Sequence, residues 1–576
     1  MKGRPAYIVA DNIISPLGTG SSENYRRVLA GESALRLHSG VGIGVSEDYQ
    51  ASLMDEESDG TGMIPGDYTL FEKRLILSVS KALYKAGWIE PSSDKVLFIV
   101  SSTKGNIGGL LGESARKVAR FFGNKVSPLV VSNACISGLC AQIEAMRALS
   151  SGRFDHVVVC GSDIQSKFIV SGFQSFKALS QQPCRPFDSS RDGLNLGEAA
   201  ATMVYSSVLP DEAYASAPGG KIWIAERGAI RNDANHISGP SRTGEGSYRA
   251  LKAALGDFPA ADLAFVNPHG TATLYNDEME SIAITRACLG SVPVAGYKGY
   301  YGHTMGAAGL IETIISMRAV ENHMIPGTRG FNQNGVSCPL DISSSPRPTD
   351  KDSFVKLLSG FGGCNAAVLF TLADAHSVAG SQSAPVASAH PSLEYLHRVH
   401  ISPDGVELDG EPLEAGGNGE ELLTDIYRRC IGDYPKFYKM DPLCRLGFVA
   451  SELLTSAEGK SPEGREDRAV ILFNRSASLA DDRIYLDTVS GPDNYFPSPK
   501  VFVYTLPNIV TGEIAIRNKY YGETSFHVLD ERDDEVIENV IMQALAEPGT
   551  ESVLGGWCEC SSPDDFEADM FICKAL

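Results

Sequence analysis

Three short apolar runs each end in a Gly-rich turn that carries a reactive side chain and leads into a helix-patterned stretch. This arrangement restricts the chain to α/β folds. The first run, 127–133 (SPLVVSN), leads into Asn133-Ala134-Cys135-Ile136-Ser137-Gly138. A helical stretch follows over 138–149, with apolar positions at Leu139, Ile143, Met146 and Leu149. The second, 264–267 (AFVN), enters Pro268-His269-Gly270-Thr271-Ala272-Thr273. The third, 292–297, enters Lys298-Gly299-Tyr300-Tyr301-Gly302-His303. An Ala/Gly-rich and then apolar helix is predicted over 305–317, its small first turn suited to close backbone approach. In open α/β sheets ligands gather at the carboxyl ends of strands, where this pattern puts Cys135, His269 and His303.

At the N-terminus of a helix, Cys135 meets the positive end of the helix dipole, which favours the thiolate, the nucleophilic form. The plain alternative is a small core cysteine. Cys140, one turn further on, falls in a helix interior and reads as packing. A single histidine is more often structural, but two in matched strand-end turns argue for chemistry. The chain has no CxxC pair, and Cys558 and Cys560 stand alone as CxC, so no metal is expected. Lys298 and Glu312 read either as solvated residues or as a buried ion pair holding the second histidine turn.

These segments resemble the β-ketoacyl-(acyl carrier protein) synthases of the thiolase-like superfamily over about the first 370 residues. Further motifs join them in the family's order: 12–18 (NIISPLG), 29–33 (LAGES), 185–188 (RPFD), 192–193, 197–200 (GEAA) and 360–366 (GFGGCNA). The resemblance implies a layered αβαβα core of two related halves. It makes Cys135 the acyl-accepting nucleophile, with His269 and His303 bonding the malonyl thioester carbonyl and assisting decarboxylation. Lys298 matches the motif lysine, and Glu312 is its salt-bridge partner. Phe361 matches the gate of the turn completed by Gly362 and Gly363, and its N–H and that of Cys135 would form the oxyanion hole. The implied reaction is a decarboxylative Claisen condensation of acyl-Cys135 with malonyl-acyl carrier protein. It needs no cofactor beyond the phosphopantetheine arm of the carrier. The implied partners are acyl and malonyl thioesters and their carrier protein.

The chain departs from the family between Gly105 and Cys135. Only a helical stretch over 110–124 lies there, and the segment that family members use at the dimer interface and acyl pocket looks deleted. A similar stretch appears at 498–522. Around it, 445–454 and 470–475 repeat the helix-strand order of 74–87 and 96–102. Likewise 535–545 echoes 138–149, and 553–556 echoes 157–161. The position matching Cys135 falls at 530–532 (DER), so the repeat has no nucleophile. The expected organisation is a nucleophile half (1–205), a two-histidine half (206–374), an Ala/Ser/Pro-rich linker (375–391) and a third α/β unit (392–576) resembling a cysteine-less half-ketosynthase. This third unit is expected to supply the lost segment within the chain or across a dimer, with 505–516 bordering the acyl pocket. The molecule would be a homodimer or an intramolecular pseudo-dimer. Similar cysteine-less units occur in aryl polyene and flexirubin-type clusters, so fatty acid, polyketide and aryl polyene pathways all stay open. So do a non-elongating chain-length or scaffold role and a simple acyl transferase role.

A net charge of −21, from 50 basic and 71 acidic residues, argues against nucleic acid. An acidic carrier would need a local basic patch, for which Arg116, Lys117, Arg120 and Lys125 are a candidate. The stretch 55–60 (DEESDG) reads as a solvated acidic loop, and 396–413 as a small hairpin. There is no signal-peptide-like or membrane-spanning apolar run, and twelve scattered cysteines fit a reducing cytoplasm.

Overall fold

The computed structural model describes residues 4–45, 47–57, 59–210, 218–375, 392–461, 463–491 and 495–576. Nearly all of the 375–391 linker therefore lies outside the described residues.

The same five-strand order occurs three times. In the first unit the order is Leu129–Val131, Val96–Ser101, His156–Asp163, Ala199–Ser206 and Ala6–Ile14. The first three are parallel and the last two antiparallel. The second unit runs Pro293–Val294, Leu263–Asn267, Ser353–Ser359, Cys364–Asp374 and Lys221–Asn232 with the same polarity. The third runs Thr524–Val528, Arg468–Asn474, Ser552–Ser562, Asp565–Ala575 and Leu393–Ser402. The parallel members Val96–Ser101 and Arg468–Asn474 are buried along their whole length, as apolar runs covered on both faces must be.

Two junctions join the units. Ala6–Ile14 pairs antiparallel with Lys221–Asn232 from Ala6↔Ala225 to Ile8↔Trp223, linking the first two sheets. On the other edge Val131 pairs with His527 and Val130 with Val528, so the first sheet runs on into the third. A long buried arginine crosses this second junction. Arg147 Nη2 lies 2.6 Å from Glu523 Oε2, and Arg147 Nη1 lies 3.0 Å from Glu144.

Helices Ser137–Ser150 and Ala308–Glu321 form the central layer, and the latter is buried almost all round, as a helix apolar on every face must be. They cross on glycines. A Cβ at Gly138 would meet the Gly306 carbonyl at 2.7 Å, so any side chain there would push the helices apart.

Several expectations change. The run 292–297 is a strand only at Pro293–Val294, because Lys298–Tyr301 already forms a helical turn. Residues 396–413 are no isolated hairpin: Leu393–Ser402 is a full member of the third sheet, with Gly405–Leu408 turned back onto it. Within 55–60, Asp59 is buried and holds Arg74 Nε at 3.1 Å. Two of the four cations of the basic patch on and after helix Leu111–Phe121 have acidic partners, while Arg120 and Lys125 are exposed. Arg116 pairs with Asp530 and Glu531, and Lys117 Nζ lies 3.5 Å from the buried Glu72. Among the described residues no helix is long and apolar enough to cross a membrane.

Candidate active site

Strand Leu129–Val131 ends at Asn133, and a single helical turn, Ala134–Ile136, carries Cys135 into helix Ser137–Ser150. Ala134 takes φ 47°, a left-handed conformation costly for a residue with a Cβ. Met305 takes the same φ ahead of Ala308–Glu321 in the second unit, so both halves use one strained elbow. The side chain of Asn133 fixes the Cys135 elbow on the third unit. Its Nδ2 donates to Thr524 O at 2.9 Å, and its Oδ1 accepts from Phe526 N at 3.0 Å.

The sulfur of Cys135 and ring nitrogens of His269 and His303 all lie within 4.8 Å of one another. The imidazoles are edge to face, with centroids 5.0 Å apart at 82°. His303 Nδ1 accepts from Met305 N at 3.3 Å, which assigns the ring proton to Nε2 and aims a donor into the site. Among the described residues His303 Nε2 and His269 Nδ1 are buried without a hydrogen-bond partner. Burial, followed by the Lys298 charge, holds both histidines well below their ordinary value, so they are neutral at pH 7.

Burial pushes the Cys135 thiol up to about 12. Lys298 and its own backbone amide act against the rise, and Asp163 adds to it. The resting side chain is therefore a thiol. Burial and the helix terminus act in opposite directions on this half-buried side chain. Cys140 is buried packing, as its helix-interior position implied.

Lys298 and Glu312 form a fully buried pair at 2.7 Å. Lys298 Nζ also donates to His269 O at 2.6 Å, so the pair, whose members flank the His303 turn in sequence, ties in the first histidine turn as well. Lys356 is a partner that the sequence reading missed. It donates to Glu312 Oε2 at 2.6 Å and to Pro268 O at 3.0 Å, and burial lowers it to about 8. A lysine in the apolar strand Ser353–Ser359 was the available signal. Two more acids were missed. Glu280 accepts from His269 N at 2.6 Å and from Gly270 N at 2.7 Å. Asp163 accepts from Ser102, Thr103, Lys104 and Gly306, bracing the loop after Val96–Ser101 against the His303 turn.

The 360–363 turn closes the site. A Cβ at Gly360 would meet Cys135 N at 3.4 Å, and Gly362 and Gly363 take φ 88° and 72°, where glycine is favoured. The half-buried Phe361 ring sits 5.4 Å from Phe176. Asn508 of the third unit donates to Phe361 O at 2.8 Å, and Gly512 abuts Gly362, its Cβ position 2.6 Å from Gly362 O. Lys104 of the first unit bonds to Asp482 and the Thr505 carbonyl. Phe502 packs among Phe168, Phe173, Phe176 and Tyr485. The 498–522 segment expected to supply the pocket border therefore reaches the site, helix Pro499–Tyr504 included, together with helix Leu479–Thr488, which the sequence reading did not place there. At the position matching Cys135 in the third unit, Asp530 and Glu531 face Arg116 instead.

Residues 101–207 match the family model "Beta-ketoacyl synthase, N-terminal domain" and 224–332 match "Beta-ketoacyl synthase, C-terminal domain". The 3-oxoacyl-[acyl-carrier-protein] synthase 2 of Rhizobium meliloti is 30% identical over 424 residues, spanning 64% of this chain and 98% of the relative. The tetracenomycin polyketide synthase ketoacyl synthase alpha subunit of Streptomyces glaucescens is 28% identical, over 63% of this chain and 96% of its own length. Among solved structures, the PfaC keto synthase-chain length factor covers 100% of this chain and 78% of itself, with a TM-score of 0.75 at 14% identity. It shares the fold across all three units. By sequence, by the order of its sheets and by its cysteine and two histidines, the chain belongs to the β-ketoacyl synthase family of acyltransferases.

Proposed function

We propose that the protein elongates acyl chains by decarboxylative condensation on Cys135. The observation that carries this reading is the convergence of the Cys135 sulfur and both imidazoles within 4.8 Å, beside the glycine turn 360–363. In the first half-reaction the Cys135 sulfur attacks an acyl thioester. His269 accepts the thiol proton, since no hydrogen bond fixes its Nδ1, and passes it to the departing carrier thiol. The tetrahedral oxyanion sits on the N–H groups of Cys135 and Phe361, a type of contact whose loss costs about 2.7–4 kcal/mol of barrier. In the second, malonyl-carrier thioester loses CO2. The charge that develops on its carbonyl oxygen is stabilised by the Nε2–H of His303 and the ring N–H of His269. The carbanion attacks acyl-Cys135, the sulfur leaves as a thiolate that takes up one proton from solvent, and a β-ketoacyl chain two carbons longer departs on the carrier. Lys298, Lys356 and Glu312 position the His269 turn.

In this proposal the third unit takes the place of a second subunit. It supplies the wall of the acyl pocket and makes the chain an intramolecular pseudo-dimer. Supporting this are the Val130–Val131 strand pairing, the Asn133 bonds to Thr524 and Phe526, and the Asn508 bond to Phe361. The test is intact-protein mass after incubation with a panel of acyl-carrier proteins. A wild-type adduct of acyl mass, absent from Cys135→Ala, supports the reading. A chain that takes no acyl group from any donor refutes it and leaves a chain-length or scaffold role.

A further inference from the structure

The junction between the first and third units is not packed throughout. Helix Ser137–Ser150, which follows Cys135, meets helix Asp534–Leu545 of the third unit. Both pack into one apolar cluster with Ile99 and Leu129 of the first sheet. Between the two helices lies a cavity of about 230 Å³. Its walls are apolar: Leu97, Ile99, Leu129, Ala148, Phe154 and Val540. No residue of the Cys135 site lines it. Glu144, which does, stands nine residues beyond Cys135, roughly 14 Å along the helix at its usual rise. A second hollow of about 370 Å³ adjoins the first. It shares Arg153 and Asn539 and adds Glu535, Glu538 and Met542.

Glu144 sets the chemistry of this space. It is 2% exposed, and its Oε1 accepts from Arg147 Nη1 at 3.0 Å. Its Oε2 is buried without a hydrogen-bond partner among the described residues. An unpartnered carboxylate oxygen beside apolar walls is costly. Arg147 does not offset it alone. The same guanidinium also meets Glu523 at 2.6 Å and Glu547 at 3.4 Å, so three carboxylates share one bridging cation. Arg231 also acts on Glu523 and Glu547, but its Nη1 donates to its neighbour's carbonyl, Ile230 O. His527, beside Glu523, is lowered to about 4 by burial and carries no charge at pH 7. Burial, opposed by Arg147 and reinforced by Glu523 and Glu547, raises Glu144 to about 7. Near neutral pH a proton therefore cancels about half of its charge. At the outer end acids again outnumber cations. Asp533, Glu535 and Glu538 surround Arg153, which lies 2.8 Å from Glu535. Asp533 caps its helix and Glu538 accepts from the Tyr395 hydroxyl, and neither contact adds positive charge.

We propose that this cavity binds an aliphatic diamine or longer polyamine, with one ammonium on Glu144, the methylene chain against the apolar walls and a second ammonium between Glu535 and Glu538. An ammonium takes the place of the Glu144 proton and gives Oε2 the charged donor it lacks. The methylenes leave water for the Leu97, Phe154 and Val540 surfaces, where a compact metal cation would gain nothing. A carboxylate ligand would meet the same acids and be repelled, and an alcohol would leave the excess charge in place. At about 30 Å³ per water-sized group the cavity takes roughly seven such groups, the length of a short diamine. Its two walls belong to different units, so the ligand is held only while the units are docked, and its binding stabilises their junction.

The experiment titrates the full chain with hexamethylenediamine by calorimetry at pH 6 and pH 8, with hexylamine and hexanol as probes of each ammonium. The amines stay charged at both pH values, whereas the carboxylate fraction of a group titrating near 7 rises about 10-fold between them. The diamine Kd should therefore fall about 10-fold from pH 6 to pH 8. Hexylamine should bind more weakly than the diamine, and hexanol more weakly than hexylamine. Glu144→Gln mimics the protonated acid. It should lose the pH dependence and bind the diamine about 10-fold more weakly at pH 8. Val540→Phe, which fills the cavity, should abolish binding. The diamine should raise the Tm of the wild type and leave that of Glu144→Gln in place. A wild type that binds no diamine, a Kd independent of pH, or a Glu144→Gln chain that binds as the wild type does overturns the proposal. The readout is binding alone, so it stands apart from the reaction proposed for Cys135.

Discussion

Replacing Glu312 by Gln isolates the electrostatics beneath the histidine pair. The carboxylate lies 2.7 Å from Lys298 and 2.6 Å from Lys356, and all three side chains are at most 3% exposed. Glutamine keeps the volume and one acceptor but removes the carboxylate that, among the described residues, pairs with both buried ammonium groups. Removing one partner of a buried ion pair costs about 3–5 kcal/mol, because the remaining charge stays desolvated. Here two such charges remain, each left with backbone carbonyls: His269 O for Lys298 and Pro268 O for Lys356. Part of the penalty is relieved by deprotonation, since Lys356 is already lowered to about 8 and falls further without the carboxylate. The variant should lose about 3 kcal/mol of stability at pH 7 and recover part of it as pH rises through 8. Because both lysines hold the carbonyls of the 268–269 turn, decarboxylation should fall about 100-fold, the scale of a 1 Å misplacement of a reacting group. The assays are denaturant unfolding at pH 7 and pH 9, and CO2 release from malonyl-carrier protein. A Glu312→Gln protein within 1 kcal/mol of wild type and fully active would refute the reasoning.

Other outcomes follow from the same geometry. His269 and His303 have folded-state values well below 6.5, so the unfolded chain binds more protons just below that pH. Stability should be fully present above pH 6.5 and fall by up to about 1.4 kcal/mol per pH unit per histidine below it. Unfolding of His303→Asn at pH 5.5 and 7.0 should show a shallower fall than wild type. Phe502→Ala, in the aromatic cluster around Gly172, should cost about 3–5 kcal/mol and shift the acyl groups accepted by Cys135 toward longer chains in a competition assay. An unshifted preference would remove Phe502 from the pocket wall. Arg147→Met strands the buried Glu523 across the unit junction and should cost about 3–5 kcal/mol, with greater recovery at acid pH as Glu523 protonates.

The reactive residues were legible because each occupies a strand-end turn whose chemistry is local. The spacing of Cys135, His269 and His303 and the glycines at 360–363 need no tertiary knowledge to single out. The third unit was legible through repetition, since 445–454, 470–475 and 535–545 repeat an order already seen, and the structure extends it to a full five-strand sheet. What stayed hidden was long-range pairing. Lys356, Glu280 and Asp163 reach the site from other elements, and nothing adjacent in sequence announces their partners. The fate of Arg116 depended on which acids a different unit placed opposite it.

The most direct measurement is product analysis by mass after mixing the intact chain with one acyl-carrier protein and malonyl-carrier protein. The account predicts a carrier-bound β-ketoacyl chain two carbons longer and release of CO2, both abolished by Cys135→Ala. Malonyl-carrier consumed without chain extension, or extension that survives Cys135→Ala, would contradict it.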